Sequence, residues 1–151
     1  MQRTALRLVP PPILFALPPV IGWLADRRFP LPLPRPLFHF VGALLLVLAG
    51  ALAAAALGLF AQTRTTVVPH GRPAALVTTG PYRISRNPMY VALTLASLGA
   101  SAVVGTLWAL LLVPLPVFAI HTVVIPLEEE TLSKVFGDEY EAYKSHVRRW
   151  F

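Results

Sequence analysis

Between Asn87 and Leu127 the chain runs for 41 residues without a single Asp, Glu, Lys or Arg. Soluble domains carry about 25% charged residues, so a gap of this length restricts the chain to folds whose helices meet an apolar medium. A second stretch, Leu37 to Ala61, is apolar or small at every position except His39. About 20 apolar residues are needed to cross a hydrocarbon core roughly 30 Å thick. The expected class is therefore an all-α integral membrane protein with about four spans, near 8–25, 37–61, 89–104 and 106–125. The first contains Pro10, Pro11, Pro12, Pro18 and Pro19. It reads as a kinked, retained helix, because "GWLADRRFP" offers no small-residue site for removal of a leader.

The segment "GASAVVGT", Gly99 to Thr106, cuts the longest apolar block and predicts a tight helical hairpin. Gly50, Ala54 and Gly58 recur every four residues, as do Ala92, Ala96 and Ala100, the pattern that lets membrane helices approach closely. The chain reads as one membrane domain, 1–151, with two spans in 1–61 and a hairpin plus tail in 62–151. The absence of cysteine removes disulfides and thiolate metal sites.

A net charge of +6 would suit nucleic acid, but the basic residues stand at helix ends, where they commonly flank membrane spans. No nucleic-acid partner is expected. With four spans, both termini and the 62–88 loop share one side. That side holds Arg3, Arg7, Arg64, Arg72, Arg83, Arg86, Lys134, Lys144, Arg148 and Arg149, against Arg27, Arg28 and Arg35 on the other. The excess predicts that the first side is cytoplasmic. Six of the seven acidic residues lie between Glu128 and Glu141, so the basic loop and the acidic tail are expected to meet at one membrane surface.

The tail reads as two short helices. "LEEETLSKVF" continues past Pro126 and stops at Gly137. Asp138, with Glu141 three residues later, has the spacing of a capping box for the second. Leu132, Val135, Phe136, Tyr140, Tyr143 and Val147 form its apolar stripe.

The polar stretch "TTGPYRISRNPMY", Thr78 to Tyr90, abuts the longest apolar run. Arg86 precedes an Asn-Pro pair. Pro88 suits the first turn of a helix, and Asn87 is placed to cap it. Helix N-termini attract anions, and an arginine beside one suits a carboxylate or phosphate; contact with lipid headgroups is the plainer alternative. Three consecutive glutamates, Glu128 to Glu130, leave the last span. Successive helical positions point about 100° apart, so at most two can address one site. They would be comfortable near Arg83 and Arg86 or a cationic ligand, or simply as a solvated helix start. His39 and His121, inside spans, are functional candidates or neutral imidazoles bonded to a helix carbonyl. No Gly-rich phosphate loop, HExxH or histidine pair at ligand spacing occurs.

"LVTTGPYRISRNPMY" (Leu76 to Tyr90), followed by "EEETLSKVFGDEYEAYKSHVRRW" (Glu128 to Trp150), resembles the isoprenylcysteine carboxyl methyltransferase family, which has small bacterial members and is related to membrane phospholipid methyltransferases. The resemblance covers the C-terminal half. It implies S-adenosylmethionine as methyl donor, bound by the loop and tail at the cytoplasmic face of a bacterial inner membrane. It implies that Leu76, Val77, Thr78, Gly80 and Tyr82 line the cofactor, with Asn87, Glu128 and Tyr140 nearby. It also implies that Arg86 and Tyr90 hold polar groups near the reacting end, and that Glu129 takes an ammonium or neighbouring donor, Arg86 and Glu129 being the catalytic pair. The acceptor would be lipid-like, an isoprenylcysteine-type carboxylate or a lipid amine or thiol, reached from among the membrane lipids. The chain departs from the eukaryotic pattern at Ala74, Asn87 and Val124, where the family has His, His and Arg. The last bears on the acceptor rather than the donor. The competing class is a non-catalytic membrane scaffold or lipid-binding protein that keeps the fold.

Overall fold

The computed structural model describes residues 9–63 and 75–151. Leu8, at the start of the first expected span, lies outside the described residues, as do Arg3, Arg7, Arg64, His70, Arg72 and Ala74. The described chain is helical, with no strand. Four long helices follow one another: α1 (Pro11–Asp26), α2 (Arg35–Thr63), α3 (Pro88–Val104) and α4 (Leu107–Phe136). A final short helix, α5 (Asp138–His146), comes after them.

α2 and α4 are long and apolar enough to cross a membrane, with mean hydropathies of 2.5 and 2.3. Only 17% and 22% of their apolar windows are buried within the molecule. A core helix of a soluble protein would hide most of that surface. Here Phe40, Val47, Leu111, Leu115 and Phe118 all stand exposed, and leaving such side chains in water would cost about 1.5–3 kcal/mol each. These faces are made for lipid. At about 1.5 Å per residue the 29 residues of α2 exceed the hydrocarbon thickness, which a tilted helix accommodates.

α1 continues through Pro18 and Pro19. α4 is irregular where prolines interrupt it. Its turn at Val113 precedes Pro114, and the five residues Ile120–Val124 form a π turn before Ile125 and Pro126. Pro126 has no N–H to close on the preceding carbonyls, and a widened π turn is one way a helix absorbs that loss. As "LEEETLSKVF" led one to expect, the last span continues past Pro126 as one helical path reaching Phe136.

Ala92 of the second four-residue repeat is buried, but close packing falls elsewhere than the Gly50, Ala54 and Gly58 repeat suggested. A Cβ on Gly50 or Gly58 would meet nothing within 4 Å, and Gly50 and Ala54 are exposed. The tight crossings use other glycines. Gly42 of α2 lies against Gly99 of α3, each about where a Cβ would come within 2.7–2.8 Å of the other's carbonyl oxygen, and a Cβ on Gly22 of α1 would stand 2.4 Å from the Ala109 backbone of α4. The predicted hairpin forms. Gly105, at φ +75°, ends α3, a conformation glycine adopts without penalty. Thr106 then donates its hydroxyl to Asp26 Oδ1 at 2.8 Å, and Leu31 N–H donates to the same oxygen at 2.8 Å. This knot ties the α1–α2 connection to the α3–α4 turn, one full length of α3 away from Tyr90.

Gly22→Leu should destabilise the protein by about 1–3 kcal/mol or more through overpacking. Gly58→Ala should be neutral or stabilising by up to about 1 kcal/mol. Thermal unfolding in detergent distinguishes them, and equal tolerance of both would mean that α1 does not pack on α4 through Gly22.

Candidate functional site

The segment before α3 is held from below by apolar contacts. Val77 and Tyr82 are buried with Ala56 of α2, and Leu59, Phe60 and Met89 pack around them. The Phe60 and Tyr82 rings meet edge to face at 5.6 Å. Gly80, at φ +59°, opens a single 3-10 turn, Gly80–Arg83, and a Cβ there would come within 2.8 Å of Leu59 Cδ1. Only glycine gives both the φ and the room. From the tail, the Tyr143 hydroxyl donates to the Tyr82 carbonyl at 2.7 Å.

The next residues bind the C-terminal tail. Arg86 N–H donates to Arg148 O at 3.0 Å. Ser85 Oγ and Asn87 Nδ2 both donate to Arg149 O, at 3.2 and 3.0 Å. Asn87 does precede α3, but its side chain makes no capping bond to the helix. Its amide reaches across to the tail instead, and Ser85 Oγ accepts from Asn87 N–H at 3.1 Å. Asp138 likewise makes no cap. It is the first residue of α5, and the Glu141 carboxylate accepts from Ser133 Oγ at 2.8 Å rather than reaching back along its own helix.

These ties bring three charges together. Glu129 is 12% exposed and Arg86 10%. Glu129 Oε1 lies 3.2 Å from Arg86 Nη2 and accepts from Arg149 Nε at 3.0 Å, while its Oε2 accepts from Arg149 Nη2 at 2.6 Å. Arg149 thus grips the carboxylate in a side-on fork, the geometry that makes arginine–carboxylate pairs strong, and that bond raises the Arg149 pKa above its ordinary value. Tyr140, 1% exposed, stands among the same charges. Burial, with the Glu129 charge, pushes its phenol up to about 12, and burial does the same for Tyr143. Both are neutral phenols at physiological pH.

One helical step away, Glu128 turns to the other side. Its Oε1 accepts the Tyr90 hydroxyl at 2.6 Å. Tyr90 belongs to a buried cluster with Phe15, Ile120 and Ile125, which Val124 and Trp150 join. Trp150 Nε1 donates to His121 Nδ1 at 3.1 Å, so His121 takes an indole N–H rather than bonding a helix carbonyl. Glu130 is exposed and pairs with Lys134 along its own helix at 2.6 Å. Two of the three glutamates therefore face inward, as helical spacing allows.

Of the residues singled out in the sequence, Tyr82, Arg86, Asn87, Tyr90, Glu128, Glu129 and Tyr140 converge on this end of the bundle, with Leu76, Val77, Thr78 and Gly80 on the segment leading into it. Arg83 and His39 are exposed and stand apart. Arg149, Ser85 and Trp150 belong to the site without having been singled out, whereas His121, a candidate for its place inside a span, is Trp150's partner. No periodicity or motif marks them, because each acts through a contact spanning 20 to 64 residues. Among the described residues no group of three His, Asp or Glu could hold a metal ion.

The arrangement suits a ligand carrying an anionic group. Arg86 Nε and Nη1 are buried and have no hydrogen-bond partner among the described residues, an expensive condition for a charged donor. S-adenosylmethionine, with its α-carboxylate, is a group these donors fit.

No curated protein and no solved structure matches the chain significantly. The model of the phospholipid methyltransferase family matches residues 37–139, from the start of α2 into α5. That match spans more than half of the chain and takes in the Tyr90–Glu128 and Arg86–Glu129 contacts, so the chain belongs to the phospholipid methyltransferase family.

Proposed function

We propose that the protein transfers a methyl group from S-adenosylmethionine to a lipid-like acceptor dissolved in the membrane. The observation that carries this reading is the convergence of the 75–88 segment and the tail on Arg86, Glu129 and Arg149, at the end of the bundle where a water-borne donor and a membrane-borne acceptor can meet. The bound cofactor would supply an electrophilic methyl group on a sulfonium. Leu76, Val77, Thr78, Gly80 and Tyr82 would line its apolar and nucleoside portions, with Asn87 and Tyr140 adjoining. Arg86 would hold its carboxylate or that of the acceptor.

The residues divide the remaining work. Both oxygens of Glu129 are engaged by guanidinium groups, which makes Glu129 the residue that positions the arginines. Glu128, joined to Tyr90, is the better placed of the two to accept a proton. A carboxylate acceptor would need no base, whereas an amine or thiol must lose a proton, and a positioned carboxylate contributes typically 10²–10⁴-fold to such steps. The packed helices exclude water and fix the approach, on which in-line displacement depends.

In this reading α1 to α4 all span a bacterial inner membrane as a single domain, with both termini and the site on the cytoplasmic side. α1 and α3, at 16 and 17 residues, are short for a full crossing and would rely on thinning or flanking residues.

Calorimetry on the purified protein in detergent should show saturable S-adenosylmethionine binding that weakens in Arg86→Ala and Glu129→Ala, both of which should abolish turnover while remaining folded. Near-normal turnover in either variant removes that residue from the mechanism. For an amine or thiol acceptor, Glu128→Gln should lower kcat by about 10²–10⁴-fold with cofactor affinity changed less than about twofold. An unchanged kcat would assign the proton elsewhere.

A further inference from the structure

One carboxylate, Glu129, faces two guanidinium groups, Arg86 and Arg149, whose side chains are 10% and 29% exposed. The nearby acids are otherwise engaged. Glu128 accepts from Tyr90, Glu130 pairs with Lys134, and Glu141 is exposed and bonded to Ser133 and Lys144. Tyr140 and Tyr143 are neutral. Among the described residues Glu129 is thus the one carboxylate bonded to either guanidinium group, shared between two cations at a largely buried position, where water does little to screen charge. Arg86 adds a second, independent sign. Its Nε and Nη1 are buried with no acceptor among the described residues, although arginine carries five donors in a fixed fork and commonly uses them all when buried.

We propose that Arg149 and Arg86 together form an oxyanion site that takes one carboxylate or phosphate group of the bound ligand. Glu129 acts as the fixed counter-ion that holds both arginines in place. The inference rests on the methyltransferase reading only for the identity of the ligand; the shared carboxylate and the unpartnered donors stand without it. It adds Arg149, a tail residue, as a binding residue. The anion has two sources, the α-carboxylate of the donor and an anionic headgroup on the acceptor.

The test is titration of the purified full-length protein in detergent with two matched pairs of probes. S-adenosylhomocysteine is compared with methylthioadenosine, which keeps the nucleoside thioether and lacks the amino-acid carboxylate. Dodecyl phosphate is compared with dodecanol. Each pair is measured on wild type, Arg149→Gln, Arg149→Lys and, as a control for unspecific charge effects, Arg83→Gln. We expect Arg149→Gln to weaken one anionic probe by about tenfold or more, with its neutral partner changed less than about twofold. Arg149→Lys should fall in between, and Arg83→Gln should match wild type. Loss confined to S-adenosylhomocysteine assigns the anion to the donor; loss confined to dodecyl phosphate assigns it to the acceptor.

Wild-type binding of both anions in Arg149→Gln overturns the proposal. So does equal weakening of the neutral probes. If Arg149→Gln does not fold, Arg149→Lys carries the same comparison, and an unchanged affinity for both anions there also overturns it. Should wild type bind neither nucleoside yet bind dodecyl phosphate in an Arg149-dependent manner, the methyltransferase reading fails and the anion site stands.

Discussion

Glu129 leaves the apolar length of α4 as a carboxylate that membrane hydrocarbon cannot accommodate, and the polar half of the described chain is organised by what neutralises it. A charge so little exposed needs partners. It finds Arg86 from the segment before α3 and Arg149 from the far end of the tail. Those pairings require the tail to fold back over the start of α3. The backbone then meets its own requirements along the same path, as Arg86 N–H, Ser85 and Asn87 bond the carbonyls of Arg148 and Arg149. Removing the carboxylate would leave two guanidinium groups facing each other, with the tail still tied through the carbonyls of Arg148 and Arg149.

The other end of the bundle answers to a different constraint. Asp26, Thr106 and Leu31 fasten the two connections there, and Gly22, Gly42 and Gly99 let the helix backbones approach. Between these two polar ends the surfaces of α2 and α4 are apolar and largely unburied. A methyl donor that cannot dissolve in lipid and an acceptor that cannot leave it can meet only at such an end. Arg86, Tyr90, Glu128 and Glu129 stand together at one such polar end, which is where the proposed function has donor and acceptor meet.

Charge-free runs and helix-breaking residues are read directly from a sequence, and the hairpin at Gly105, the stop at Gly137 and the inward turn of two glutamates follow from them. Identity of the packing glycines does not. Gly50 and Gly58 carry the expected spacing but face open space, because spacing places residues on one face of a helix and cannot say which face meets a neighbour. Asn87 and Asp138 occupy the right positions for caps, yet Asn87 spends its side chain on the tail and Asp138 makes no capping bond. Local preference yielded there to tertiary contacts. Arg149 was visible only as one more basic residue. Its role depends on a contact 20 residues away, and no local pattern encodes that distance.

The most direct test of the whole account is the fate of the methyl group. Purified protein in nanodiscs made from bacterial lipid extract, given S-adenosylmethionine labelled in its methyl carbon, should move label into the organic-soluble fraction in proportion to enzyme and time. The labelled lipid would then name the acceptor. Folded protein that binds the cofactor yet moves no label into any lipid fraction would contradict the account and leave the charged cluster as the cofactor shell of a scaffold.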